Sequence, residues 1–430
     1  MPGNDAGSPI GLGVDFGTTN SVVALAYPGG HVESLSWPSA FGATETFRTA
    51  LMFWREGRNK VRHVAGPEAI ARAINPEGEQ RFIQSIKTHL ASPLFTETRL
   101  YGERFTIERL VATFLERLFD QDALHAAGSP RVVAGRPVVF AGERPDEALA
   151  VARLKTAYAS VGATSVEFAY EPLGAAYWYA RKLEREEIVL VADFGGGTSD
   201  FSVLRFSRKG KGLEAQPLAH GGVGVAGDTF DYRLIDHVVS PKLGKGTHYR
   251  SFDKLLPIPA YFHAAFAQWH QLSWLKSAQT LAELRKLATN AEEPRMLEDL
   301  MVVIEHDLGF ELYRAIGDLK AKLSAETEAR FTFAREGIEI AASVTRKDFE
   351  GWIADDLGRI AQAMDRAVAE AGLGFADIDA VFLTGGSSFV PAVRALFLER
   401  FGEARVHVGD AFQSVASGLA LIAADRAVGW

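Results

Sequence analysis

Two stretches far apart in the chain carry the same order of apolar and polar positions. In each, an apolar run ends in Asp-Phe-Gly, a turn of glycines and hydroxyls follows, and a second apolar run leaves the turn. The first reads Leu12-Gly13-Val14-Asp15-Phe16-Gly17-Thr18-Thr19-Asn20-Ser21, then Val22-Val23-Ala24-Leu25. The second reads Val191-Ala192-Asp193-Phe194-Gly195-Gly196-Gly197-Thr198-Ser199-Asp200, then Phe201-Ser202-Val203-Leu204. Each predicts a strand, a tight turn and a returning strand, with a more glycine-rich turn in the second copy.

Around these hairpins the periodicity alternates between strand and helix. Leu51–Trp54 reads as a strand, Pro67 opens a helix that Asn75-Pro76 breaks, and Phe82–Leu90 reads as a short helical stretch carrying Lys87. Leu110, Val111, Phe114, Leu115 and Leu118 follow helical spacing. A strand through Val138–Phe140, a strand around Phe168, an Ala-rich helix from Gly174 and the apolar strand Ile188–Asp193 come next. Residues 255–325 are mostly helical and aromatic, and Trp269 and Trp274 read as core residues. The last unit is the strand Val381–Thr384, the turn Gly385-Gly386-Ser387-Ser388, a helix opened by Pro391, the strand Val406–Val408 and a helix from Phe412 to Ala424. Strands alternating with helices around a repeated hairpin predict an α/β fold of two related lobes.

The turns have a shared chemical use. Glycines let the backbone approach a phosphate closely, and successive N–H groups form a donor cup for its oxygens. An Asp at the rim repels the phosphate directly but reaches it through a magnesium ion, which keeps several of its waters. Two cups face to face would hold a polyphosphate from both sides.

Composition narrows the alternatives. The chain has 430 residues and a formal net charge of -8, which argues against a nucleic-acid partner held by phosphate neutralisation. It has no Cys, so disulfide and zinc–thiolate chemistry are excluded and a reducing cytoplasm is the expected location. The start, Met1-Pro2-Gly3-Asn4-Asp5, lacks a basic segment and apolar core, so no signal peptide is expected there. No apolar run approaches a membrane span, so no membrane partner is expected. The 11 histidines are scattered without a catalytic metal spacing, and His263 and His270 read as helix residues.

In this order the motifs resemble the actin, hexokinase and heat-shock ATPase superfamily. Within it the chain is most similar to the nucleotide-binding domain of the seventy-kilodalton heat-shock chaperones, in the short, YegD-like form. The two cups match that family's phosphate motifs. Tyr170-Glu171-Pro172-Leu173-Gly174-Ala175-Ala176 and Ser414–Ala420 match the segments connecting its lobes, and Leu383-Thr384-Gly385-Gly386-Ser387 with Pro391 its adenosine motif. Gly227-Asp228-Thr229-Phe230-Asp231 is a weaker likeness. The resemblance runs from about residue 11 to 424 and implies an actin-like fold of duplicated ribonuclease-H-like lobes. Lobe I would span 11–187 with an insertion at about 37–107, and lobe II 188–424 with a helical insertion at about 232–345; 1–10 and 425–430 would be tails.

The resemblance also implies roles. Lys87, Glu171, Asp193 and Thr198 would be catalytic, with Lys87 positioning the attacking water, and Asp15 and Asp193 would hold Mg2+ through its waters. Gly17, Thr18, Thr19, Asn20, Gly195, Gly196, Gly197 and Thr198 would bind the phosphates of ATP or ADP. Gly227, Lys320, Ser324, Gly385, Gly386, Ser387 and Phe389 would hold the adenosine side. The implied activity is slow, Mg2+-dependent ATP hydrolysis by phosphoryl transfer to water, serving a chaperone function with a protein partner or co-chaperone. Departures cluster on the base: Ala321 and Phe389 stand where the family clamps adenine with arginines, Gly317 where it binds ribose with a glutamate, and Phe412 for an aspartate, with Asp410 as the substitute nearby. The sequence ends at Trp430, so a peptide-binding β domain is not expected in this polypeptide. The rival readings are a sugar or polyol kinase on the same superfold, an actin-like filament or nucleotide-sensing scaffold, and a nucleotide-free relative.

Overall fold

The computed structural model describes residues 8–428 apart from 40–41, 58–59, 75–77, 129, 142–143, 210–211, 268–274, 307 and 409–414. Trp269, His270, Trp274, Asp410 and Phe412 therefore lie outside the described residues.

Each repeated hairpin forms the middle of its own sheet. The first sheet runs in the order Glu167–Tyr170, Arg131–Arg136, Gly11–Asp15, Asn20–Ala26, Val32–Ser34. The second runs Gly212–Val223, Ser199–Lys209, Glu187–Phe194, Ala380–Thr384, Val406–Val408. In both, the central strand pairs antiparallel with its hairpin partner and parallel with a strand supplied from further along the chain. The repeat seen in the residues is thus a repeat of topology: two ribonuclease-H-like lobes in a two-lobed, actin-like α/β fold. Purely apolar central strands such as Val189-Leu190-Val191-Ala192 are buried on both faces, as a sheet covered by helices requires.

Both lobes carry insertions. In the first, Ala50–Glu56 lies between Lys60–Ala65 and Gln80–Gln84, with the helix Gly66–Ile74 beside them. In the second, the helices Ala278–Asn290, Pro294–Glu305 and Gly309–Ala325 join two antiparallel hairpins. Each lobe has its own apolar core, and a third cluster joins them. That cluster draws Ala24 and Val133 from the first sheet and Val189 and Val191 from the second, around the helices Glu171–Ala180 and Val415–Ala427.

Those two helices touch backbone to backbone. A Cβ on Gly418 would stand 1.9 Å from the Gly174 carbonyl oxygen, and one on Gly13 would stand 2.1 Å from that of Ala416. Only glycine permits so close an approach. Residues 425–427, expected as tail, continue this helix: Tyr177 donates to Asp425 at 2.8 Å and Arg181 pairs with it at 3.0 Å. The helix also rests on the first sheet although it follows the second in sequence.

Two local expectations are corrected. Val138–Phe140 is not a strand; that strand is Arg131–Arg136, and the Pro137 ring, without an N–H, cannot extend its ladder. The segment Phe82–Leu90 is a strand end, Gln80–Gln84, followed by a single 3-10 turn, Ile86–His89. Among the described residues no helix is long and apolar enough to cross a membrane.

Candidate functional site

Asp15 ends the central strand of the first sheet and Asp193 lies one residue before the end of its counterpart in the second. The duplicated topology therefore delivers one carboxylate from each lobe to equivalent places. Lys87 comes from the 3-10 turn and meets Glu171, the first residue of the helix Glu171–Ala180, at 2.5 Å; both are largely buried. The turn carrying Lys87 is held by Arg153, which donates to the carbonyls of Leu90 (2.8 Å), Ser92 (2.9 Å) and Phe95 (2.8 Å).

The electrostatics show how closely these groups are gathered. Burial, reinforced by Glu171 and Asp193 and opposed by Lys87, pushes the Asp15 carboxyl up to about 8. Burial also pushes Asp193 up to about 6, aided by Glu171 and Asp200, while the Thr384 hydroxyl donating at 2.7 Å and Lys87 hold it back. Burial raises Asp200 as well, against the Thr198 hydroxyl that donates to it at 2.8 Å. Burial works against the charge of Lys87, but Glu171, Asp15 and Asp193 outweigh it and hold its pKa above the ordinary value.

Asp15, Glu171, Asp193 and Asp200 thus share one ammonium group, Lys87. A partly water-coordinated divalent cation fits this excess of negative charge. Among the described residues no group of three or more side chains is placed to ligate a metal ion directly.

The sign of the carboxyl shifts gives a test. A carboxyl with a raised folded-state pKa stabilises the fold below the unfolded value and loses that contribution as pH rises through the folded value. For Asp15 the window runs from 3.8 to about 8. Replacing Asp15 by Asn is therefore expected to favour the ligand-free fold progressively more as pH rises from about 5 to about 8.5. Parallel melting curves of the two proteins across that range measure it; a constant offset would contradict it.

The two glycine-and-hydroxyl turns meet each other. The N–H of Gly195 donates to the Thr198 carbonyl at 2.9 Å, closing the second turn, and Gly17 packs so tightly that a Cβ would stand 2.1 Å from the Asn20 carbonyl oxygen. A Cβ on Gly196 would lie 3.0 Å from the hydroxyl of Thr19, in the opposite lobe. Thr18, Thr19 and Asn20 line a cavity of about 820 Å³ that continues outward between the insertions; the Lys87–Glu171 pair, Asp15 and Asp193 are not part of its lining. Gly197 and Thr198 are exposed.

The residues expected on the adenosine side form a second group. A Cβ on Gly227 would stand 3.0 Å from the Ser387 hydroxyl and 3.5 Å from the Lys320 ammonium nitrogen. Lys320 pairs with Asp231 at 2.8 Å and donates to the Gly227 carbonyl at 3.3 Å, and Ser324 donates to the Lys320 carbonyl at 3.0 Å. Gly385 lies against the Phe194 carbonyl, a Cβ falling 2.1 Å away, with a φ of 82° that favours glycine. Gly386 faces open space and the Phe389 ring is half exposed. Gly317 also faces open space and Ala321 is exposed.

Several neighbours of the site were not assigned from the sequence. Thr384 and Asp200 stand inside quoted motifs but received no role. His220 bonds Ser202 at 3.1 Å and lies 3.9 Å from Asp200, a pairing created by the strand register that sets Ser202 opposite His220. Tyr158 is fully buried, and its hydroxyl has no hydrogen-bond partner among the described residues. Burial and then the charges of Asp15 and Glu171 raise its pKa, so the hydroxyl is neutral and sits within reach of the site's charges. No one-dimensional signal marks either residue.

A family model described as "Hsp70 protein" matches residues 74–249 and 305–426. Among curated proteins, the chain is similar to the chaperone protein DnaK of Thermotoga petrophila and of Thermotoga maritima, each 27% identical over 418 residues. The alignment covers 96% of this chain and 59% of each relative.

Proposed function

The chain belongs to the Hsp70 family, and from that premise we propose that it binds ATP and ADP with Mg2+ between its lobes and hydrolyses ATP slowly. The observation that carries this reading is the Lys87–Glu171 ion pair at 2.5 Å together with the partly buried Asp15 and Asp193, which stand at or next to the ends of the repeated strands. A buried lysine surrounded by carboxylates stays charged at neutral pH, so it is suited to orient a water and to offset charge on a transferring phosphoryl group.

Each part of the site has its task. The N–H groups and hydroxyls of the turns at Gly17–Asn20 and Gly195–Thr198 hold the phosphates. Asp15 and Asp193 hold Mg2+ through water, and the ion, when bound, neutralises phosphate charge. Glu171 holds the Lys87 ammonium in place and accepts a hydrogen bond from the attacking water. Thr384 orients the Asp193 carboxylate. The wall of Gly227, Lys320, Ser324 and Ser387, with Gly385, Gly386 and Phe389, takes the nucleoside.

The lobe boundaries at about 187 and 188, the chaperone role, the protein partner and a cytoplasmic location belong to the same proposal, because the chain spans 59% of its curated relatives. Hydrolysis would let the two lobes report nucleotide state to that partner.

A melting experiment with ATP, ADP and GTP, each with and without Mg2+, tests the reading. Ligand at 100 times its dissociation constant stabilises the folded state by about 2.7 kcal/mol. ATP and ADP with Mg2+ are expected to raise the melting temperature by several degrees, and omission of Mg2+ to reduce the gain. With Phe389 half exposed and open space at Gly317, base selection is expected to be weak, so GTP should follow ATP within about tenfold, or about 1.4 kcal/mol. No shift with any nucleotide would refute binding.

A further inference from the structure

The outer part of the cleft contains a cationic group that the family motifs do not explain. Arg48 lines the cavity of about 820 Å³ together with Thr18, Thr19, Asn20 and Asp228. It is carried by the two-residue strand Phe47–Arg48, which pairs with the strand leaving the first phosphate turn and sets Arg48 opposite Asn20. The following residue secures this placement. The N–H of Thr49 donates to the Thr19 carbonyl at 2.8 Å, and its hydroxyl donates to the Gly17 carbonyl at 2.8 Å. The backbone at Arg48 is therefore bound to the turn itself.

Its side chain is not bound in the same way. Among the described residues the Arg48 guanidinium has no hydrogen bond and no ion pair, although it is partly buried. Burial works against its charge and lowers its pKa, and Asp228 is the group that opposes this. Asp228 belongs to the other lobe, in the helix Gly227–Leu234, and is tied to the second turn: its N–H donates to the Gly196 carbonyl at 2.8 Å. A Cβ on Gly196 would lie 3.2 Å from the Asp228 carboxylate oxygens and 3.0 Å from the Thr19 hydroxyl. Both turns, Asp228 and Arg48 consequently converge at one end of the cradle. A guanidinium presents a rigid fork of donors matched to phosphate, and partial desolvation without a partner is unfavourable until an anion arrives.

We propose that Arg48 contacts the outermost phosphoryl group of a nucleoside triphosphate held between the two turns, and thereby sets the preference for triphosphate over diphosphate. This rests on the nucleotide reading above. The terminal phosphate supplies the hydrogen-bond acceptors that Arg48 lacks. A diphosphate, shorter by one phosphoryl group, leaves it unengaged.

Calorimetric titration of the full chain with ATP and with ADP, both with Mg2+, tests this on wild type, Arg48→Gln and Arg48→Lys. Arg48→Gln is expected to weaken ATP about 10- to 100-fold, the range for a lost charge-assisted hydrogen bond, and ADP by less than about threefold. Arg48→Lys should recover part of the ATP affinity, because it keeps the charge and loses the fork. Equal weakening of both nucleotides, or of neither, overturns the role of Arg48. Wild-type protein that binds neither nucleotide overturns the nucleotide reading itself, and this proposal with it. Should Arg48→Gln melt below the assay temperature, the lysine variant decides: an ATP-to-ADP affinity ratio unchanged from wild type contradicts the proposal.

Discussion

Replacing Lys87 by alanine is expected to reduce ATP turnover by about 100- to 1,000-fold, the scale on which removal of one preorganised charge-stabilising group acts. The side chain is only 9% exposed and meets Glu171 at 2.5 Å. Its loss leaves Glu171, Asp15 and Asp193 without a local cation and the attacking water without its donor. Asp193→Asn is expected to lower turnover comparably by weakening Mg2+ retention, and raising Mg2+ should restore part of its activity but none of Lys87→Ala. Truncating one member of a buried ion pair typically costs several kcal/mol. Here the loss should be smaller, because burial already raises the Asp15 and Asp193 pKa values and both can take up protons. Phosphate release in single-turnover mixing, alongside circular dichroism of each variant, gives the answer. Wild-type turnover in Lys87→Ala would remove the residue from the mechanism.

The largest effect on stability is expected at an uncharged contact between two helices. Gly418→Ala places a methyl group 1.9 Å from the Gly174 carbonyl oxygen and 2.7 Å from its carbon, contacts that only movement of a helix can relieve. Overpacking a core generally costs 1–3 kcal/mol, and backbone atoms on the opposing side cannot rotate away, so about 3 kcal/mol or more is expected. The same helix lies against the first sheet at Gly11, where a Cβ would stand 2.3 Å from the Ala420 carbonyl oxygen, so it cannot withdraw in that direction. Gly358→Ala is the matched comparison. It lies inside the helix Ala354–Glu370 with open space around it, and should be neutral or stabilise by about 0.5–1 kcal/mol. Urea midpoints of the two variants measure the contrast, and equal midpoints would show that the helix contact yields freely.

The parts of the site read directly from residues were those made by neighbours in the chain. A turn such as Asp193-Phe194-Gly195-Gly196-Gly197-Thr198 carries its backbone requirements and its donors within six positions, so the cup is visible as a pattern. The 3-10 turn around Lys87 was harder to read, since Ser85 adopts a left-handed conformation that no periodicity marks. Val138–Phe140 looked like a strand because it is apolar, yet the ladder stops before Pro137.

By itself the sequence determined that two related hairpins with glycine-and-hydroxyl turns exist, that each begins from an aspartate-bearing strand, and that the intervening elements alternate as two similar lobes require. These follow from local rules: turn chemistry, side-chain alternation and helical spacing act over a few residues. Only the tertiary structure decided which distant groups share an electrostatic environment. Lys87 reaches Glu171 across 84 positions, Arg48 comes opposite Asn20 through a two-residue strand pairing, and Gly418 meets Gly174 because two helices cross between the sheets. Burial and charge coupling depend on distance in space, and it is the packing of the lobes that sets those distances.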